Sequence, residues 1–297
     1  MERALERSLE LAIGPGTPPR LAEALRYSVF PGGGRIRPRL VLAVAEACGE
    51  AVHPVVEAVA AAVEMLHCAS LVHDDLPQFD NAAMRRGRLA VHAAYGPELA
   101  VLVGDGLIVA AFETLAAGCA RAPHRLGPLI RVVGAGVGTI KGIVAGQAWE
   151  SEPQLNLRAY HQAKTGALFE ASVCAGAIAG GGDPSEWAPL GQILGEAYQV
   201  ADDISDVVGS AATLGKPVGQ DAMLDRPSAT RSLGMQGAYA RLDGLFRRLS
   251  DAIPPCPGRD SFDTWVSELC SQIFPTRPQE QRAASNKQPV YLEAATA

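Results

Sequence analysis

The sequence predicts an all-α protein built as one helical bundle. Three observations carry this reading. Apolar residues recur every three or four positions along most of the chain, which is the spacing of one helix face. No stretch alternates convincingly with period two, and there is no Asn-Gly hairpin signal. Aromatic residues make up only 5% while alanine is abundant and glycine reaches 31 residues, a composition suited to closely packed helices. With 297 residues, 48% of them hydrophobic, the chain can bury a large core.

The elements follow in chain order. The N-terminal stretch "MERALERSLELAIGPG" is charged throughout and lacks the apolar run of a secretion signal. Six scattered cysteines without a C-x-x-C pair suit a reducing compartment, so a cytoplasmic location is expected. "GPGTPP" (14–19) and "FPGGG" (30–34) read as helix connections. In 55–75, Val59, Val63, Leu66, Ser70 and Asp74 form one continuous helical stripe. The most apolar stretch, 166–182, carries Glu170 and several glycines and is too interrupted for a membrane span. "GGGDPSEW" (180–187) breaks the chain before a second clear helix, 190–208. There Leu194, Tyr198, Ala201 and Ser205 form one stripe and Gly195, Gln199, Asp202, Asp203 and Asp206 its neighbour. "IPPCPG" (253–258) is a further connection. The bundle is expected to occupy 1–275, and the polar, aperiodic 276–297 to be a disordered tail.

A net charge of −6 weighs against a nucleic-acid partner. The chemistry concentrates in two acidic clusters. In "QVADDISD", Asp202 and Asp206 stand at i and i+4 on one helix face, an arrangement that repels unless a cation joins it. In "HDDLPQFD", Asp74 and Asp80 are six apart, a spacing that separates them on a straight helix. Pro77 interrupts the helix and lets Asp80 return beside Asp74. Oxygen-only ligands suit Mg²⁺, which shares its coordination with water and substrate phosphate; Mn²⁺ can substitute. Arg85 and Arg86 follow the first cluster, and arginine forks bind phosphate oxygens. Carboxylates, Mg²⁺ and arginines together describe a diphosphate site.

These residues resemble the trans-prenyltransferases, the isoprenyl diphosphate synthases. That family's Asp-Asp-x(4)-Asp…Arg-Arg-Gly motif reads here "DDLPQFDNAAMRRG", and its Gln-x-x-Asp-Asp-x-x-Asp motif reads "QVADDISD". "GGGRIRPRL", "EMLHCASLVHDD", "VGDGLI", "AGQAWE", "KTGALF" and "LGKPVGQD" follow the family order over roughly 20–225. The wording is most similar to geranylgeranyl diphosphate synthases of bacterial carotenoid and bacteriochlorophyll pathways. The resemblance implies an isoprenoid synthase-type bundle around a central cavity, several Mg²⁺ ions, a homodimer, and condensation of isopentenyl diphosphate with an allylic diphosphate. It implies Asp74, Asp80 and Asp202 as metal ligands, with Asp75, Asp203 and Asp206 as further ligands or outer support. Arg85, Lys164 and Lys216 would contact the allylic diphosphate, Thr165 and Gln199 would face the carbocation, and Arg37, His67 and Arg86 would hold isopentenyl diphosphate. Gln147 matches a family position. Phe79 and Tyr198 are expected in the core, and His73 as a packing or capping residue.

Three features qualify the resemblance. Asn81-Ala82-Ala83 follow the first motif where members of the family often carry more acids, which leaves the three core aspartates intact. The family lysine before Arg35 is Gly34 here, so either Arg35 or Arg39 compensates or the isopentenyl diphosphate site is weaker. Glu150 replaces a frequent aspartate, a mild change. Ala69 and Ser70 lie about one turn before Asp74, and their small size predicts a product longer than farnesyl, the geranylgeranyl chain. Other readings remain open at this level: a non-catalytic prenyltransferase subunit, a farnesyl diphosphate synthase, and a terpene cyclase on the same scaffold.

Overall fold

The computed structural model describes residues 1–30, 33–49, 54–154, 157–208 and 228–274. Lys216 and the 276–297 tail lie outside them. The helices are α1 (Glu2–Ala12), α2 (Pro19–Val29), α3 (Ile36–Ala47), α4 (Pro54–Asp74), α5 (Val91–Tyr95), α6 (Pro97–Gly118), α7 (Pro123–Val137), α8 (Ile143–Trp149), α9 (Leu157–His161), α10 (Ala167–Gly180), α11 (Pro184–Val208), α12 (Ala229–Leu249) and α13 (Arg259–Ile273). Among the described residues the only sheet is a ladder of two short strands, β1 (Met84–Arg85) and β2 (Arg88–Leu89), paired antiparallel. Arg86 and Gly87, both at positive φ (53° and 77°), form its turn. This is the hairpin backbone that Asn-Gly usually supplies, reached here by Arg-Gly, so the sequence signal was missed.

Proline sets several helix starts. Pro19, Pro54, Pro97, Pro123 and Pro184 each open a helix, where their missing N–H costs no bond and their fixed φ fits. Helix α4 is buried nearly all round, from Val55 to Val72, and packs against α6, α3 and α10. Both α4 and α6 are long and apolar enough to cross a membrane by length and composition, although 78% of the α4 window is buried inside the protein.

Helix α10 is the hub. It lies against α3, α4, α7 and α11, and small residues let those backbones close on it. A Cβ at Gly176 would fall 2.8 Å from the Val41 carbonyl oxygen, and one at Gly180 2.7 Å from that of Ala45. On the α11 side a Cβ at Gly191 would fall 2.5 Å from Glu170 Cα. The abundance of Ala and Gly in the sequence is thus spent on helix–helix distance. Buried side chains from α3, α4, α6, α7 and α10 form one apolar cluster, and those from α3, α10, α11, α12 and α13 form a second.

Candidate active site

Helix α4 ends at Asp74, and Pro77 follows three residues on. The chain then folds back: Asp80 N–H donates to the Asp74 carbonyl at 3.0 Å and Asn81 N–H to that of Leu76 at 3.0 Å. Asn81 accepts positive φ (46°) to complete the turn. Asp74 and Asp80 thereby line one cavity of about 520 Å³, into which α11 brings Gln199, Asp202 and Asp206. Arg37, His67, Ser70, Arg85, Gln147, Lys164 and Thr165 line the same cavity.

Lys164 and Thr165 sit in a π-helical turn, Gln162–Gly166, between α9 and α10. Two glycines clamp that turn. A Cβ at Gly146 would come 2.4 Å from Lys164 N, and one at Gly195 2.5 Å from Gly166 Cα. π-Turns often mark functional positions. Lys164 Nζ lies 2.6 Å from Glu150 Oε1 and 3.2 Å from Asp74 Oδ1. Tyr160 OH donates to the same Glu150 oxygen at 2.7 Å, and Gln147 Nε2 donates to Glu150 Oε2 at 2.9 Å. Thr165 Oγ1 donates to Gln199 Oε1 at 2.6 Å, while Gln199 Nε2 donates to Asp203 Oδ1 at 2.8 Å.

The six aspartates divide by environment. Asp74, Asp80, Asp202 and Asp206 line the cavity. Asp75 and Asp203, each 2% exposed, do not. Asp75 is held by Arg85, whose Nε donates at 3.0 Å and whose Nη2 makes a second contact. Asp203 accepts from Gln199 and from Ala229 N–H at 2.6 Å, tying α11 to the start of α12. Burial raises the carboxyl pKa of Asp74, Asp75 and Asp203. At Asp74 the neighbouring Asp80 adds to this while Lys164 and Arg85 oppose it.

On the other side, the Arg37 guanidinium lies 4.5 Å from the Phe169 ring centroid and 5.7 Å from that of Tyr198. Its Nη1 is 3.4 Å from His67 Nε2. Its Nε is buried and makes no hydrogen bond. Burial, with Arg37, Arg86 and Arg85 nearby, holds the His67 pKa well below the ordinary imidazole range, so this ring is neutral. Arg86 packs its guanidinium on Gly33, where a Cβ would fall 2.8 Å from it; Arg86 lies outside the cavity lining.

Several expectations are corrected. Ala69 is 1% exposed and packed in the α4 core, so of the pair only Ser70 reaches the cavity; successive helix residues point about 100° apart. Arg35 and Arg39 do not compensate for the missing lysine at Gly34. Arg35 is committed to Glu2, Glu64 and the Val29 carbonyl, and Arg39 lies over Trp265. Phe79 is no core residue: it is 48% exposed, on the turn that Pro77 creates. Tyr198 lines the cavity under Arg37. His73 packs as expected, its ring filling the space over Gly104. Glu150, read as a mild replacement, proves to be a junction of three donors.

The donor set fits Mg²⁺. The cavity carboxylates are hard oxygen donors, and Asp74 Oδ1 is buried without a well-formed hydrogen bond, 3.2 Å from the Lys164 ammonium. Among the described residues no three His, Cys, Asp or Glu side chains already converge as a metal cluster. The carboxylates come from two separate elements and suit a metal that arrives with its phosphate ligand.

A family profile described as Polyprenyl synthetase matches residues 18–250. A geranylgeranyl diphosphate synthase from Cereibacter sphaeroides is 48% identical over 280 residues, covering 93% of this chain and 97% of the relative. One from Rhodobacter capsulatus is 48% identical over 278 residues, covering 92% and 96%. Among solved structures, a geranyltransferase from Helicobacter pylori, complexed with magnesium and isoprenyl diphosphate, superposes with a TM-score of 0.77 at 30% identity, covering 91% of this chain and 96% of that one.

Proposed function

Because the chain belongs to the polyprenyl synthetase family, we propose that it condenses isopentenyl diphosphate with an allylic diphosphate, head to tail, to geranylgeranyl diphosphate. It is a prenyltransferase. The observation that carries the site assignment is the single cavity shared by Asp74, Asp80, Asp202, Asp206, Lys164 and Arg37.

The two diphosphates divide between the two sides of this cavity. Asp74, Asp80, Asp202 and Asp206 would hold Mg²⁺, or Mn²⁺ in its place, with the buried Asp75 and Asp203 supporting them from behind. When bound, Mg²⁺ supplies positive charge to the diphosphate oxygens. Lys164 and Arg85 present cations to the same oxygens, and Lys216 is assigned beside them from sequence alone. Charge develops on the allylic diphosphate as its C–O bond breaks, so these cations favour the transition state over the bound substrate. Thr165 and Gln199 lock each other in place and present oxygen dipoles toward the carbocation. Arg37 and His67 hold isopentenyl diphosphate, Arg86 is assigned beside them from sequence alone because it lies outside the cavity lining, and the unsatisfied Arg37 Nε is a donor for the diphosphate. The isopentenyl double bond forms the new C–C bond, and the departing proton goes to the released diphosphate.

The relatives' names and the small Ser70 on the cavity wall support the C20 product. The exposed apolar residues Val101, Leu102 and Val109 on α6 support a homodimer, and the six free cysteines a cytoplasmic setting. The decisive experiment incubates purified protein with Mg²⁺, isopentenyl diphosphate and each allylic primer, and measures product chain length. Geranylgeranyl diphosphate is expected. A farnesyl product would overturn the length assignment, a diphosphate-free hydrocarbon the reaction type, and no product the enzyme reading.

A further inference from the structure

Lys164 stands between two carboxylates of different kinds. Asp74, at 3.2 Å, lines the cavity among the acids assigned to metal. Glu150, at 2.6 Å, belongs to the short segment after α8 and is absent from the cavity lining. Glu150 is itself fixed: Tyr160 OH binds the oxygen that Lys164 uses, and Gln147 binds the other. Tyr160 is 6% exposed, and its ring centroid lies 5.8 Å from the ammonium. A lysine is a flexible point charge on a four-carbon stem. Its placement therefore depends on what grips the ammonium.

We propose that Glu150 is a positioning residue for prenyl transfer, gripping the Lys164 ammonium so that it faces the allylic diphosphate when Asp74 turns to metal. The idea rests on the assignment of the allylic diphosphate to this side of the cavity. Glu150 and Asp74 share the ammonium. Once the Asp74 carboxylate is engaged elsewhere, Glu150 remains as the anchor and the ammonium keeps donors free for phosphate oxygens. Tyr160 and Gln147 keep the Glu150 carboxylate from following the lysine into the cavity. The clamp of Gly146 against the Lys164 backbone fixes the other end of the same side chain.

The test compares Glu150→Gln, Glu150→Asp and Tyr160→Phe with the parent, alone and in a Lys164→Ala background. Steady-state kinetics vary the allylic and isopentenyl substrates separately, and calorimetry measures binding of inorganic pyrophosphate with Mg²⁺. Glu150→Gln is expected to raise the allylic KM and weaken pyrophosphate binding about 10-fold, with isopentenyl KM within about twofold, since it removes one charge-assisted contact. Glu150→Asp should recover most of the loss, and Tyr160→Phe should show a smaller change of the same pattern. In the Lys164→Ala background Glu150→Gln should have no further effect, the signature of residues acting as a unit. An equal rise in both KM values, or an undiminished effect without Lys164, would overturn the proposal. Should the parent protein bind pyrophosphate but make no prenyl product, the functional reading fails while the binding arm still decides the role of Glu150.

Discussion

Asp80 N–H donates to the carbonyl oxygen of Asp74 across a turn that Pro77 initiates. Two aspartates six positions apart, which would diverge on a helix, are brought to one cavity wall by a backbone bond. The cost is electrostatic. Burial and the Asp80 charge together raise the Asp74 pKa, so the fold disfavours the ionised form that the proposed metal site requires.

Asp74→Asn therefore separates stability from activity. Prenyl transfer should fall by at least about 100-fold. The metal-free variant should melt about 2 °C higher, because the amide keeps the shape without the charge and Lys164 retains Glu150. Calorimetry without Mg²⁺, beside a turnover assay, checks both. A variant that melts lower would contradict the electrostatic account.

His67 gives a pH dependence of defined sign. Its folded pKa is depressed, so the unfolded chain takes up a proton near pH 6.5 that the folded chain refuses. Its contribution is complete above about pH 6.5 and is lost as pH falls toward the folded pKa. Melting temperatures of the parent and His67→Gln, measured from about pH 7.5 down to 5, should diverge, the parent losing stability faster on acidification. Parallel curves would show that the ring titrates freely.

Gly146→Ala should damage the π-turn directly. The new methyl would meet Lys164 backbone at 2.4 Å, and backbone cannot rotate aside as a side chain can. A loss of about 2 kcal/mol is expected, with a rise in allylic KM as Lys164 shifts. Urea denaturation and substrate-varied kinetics read the two effects.

Ser70 and not Ala69 lines the cavity, so product length is predicted to respond to substitution at Ser70. Ser70→Tyr places a ring on the cavity wall and should shorten the main product to farnesyl diphosphate. Ala69→Tyr forces a ring into a site 1% exposed and should destabilise by about 1–3 kcal/mol. Product chromatography with a thermal melt distinguishes them. An unchanged product from Ser70→Tyr would refute this placement.

The sequence reveals what is local. Helical periodicity located both ends of the helix before Asp74 within one residue. It located the end of the helix carrying Asp202 but put the start of that second helix six residues late, because the breaker-rich 180–187 already contains its first turn at Pro184. Pro77 foretold the return of Asp80. It reveals less where partners are distant. Arg35 pairs with Glu2 and Glu64, 33 and 29 positions away, and nothing in "GGGRIRP" excludes it from the cavity. The Glu150 junction joins residues from Gln147 to Lys164 across two helices and a π-turn, a geometry no single period encodes. The motif resemblance left Asp75, Asp203 and Asp206 together as further ligands or outer support, although Asp206 lines the cavity. Only folding separates those facing the cavity from Asp75 and Asp203, which Arg85 and the Ala229 N–H hold behind it.

Helix α10 constrains how such a protein can diversify. Its distance from α3 and α11 is set by main chain against main chain at Gly176, Gly180 and Gly191, so there is no slack to widen the bundle by trimming side chains there. Variation in product size is then expected to come from residues that line the hollow, such as Ser70. A rigid frame with an adjustable lining lets single substitutions retune the product while the acid clusters keep their separation, which makes the scaffold evolvable without rebuilding its chemistry.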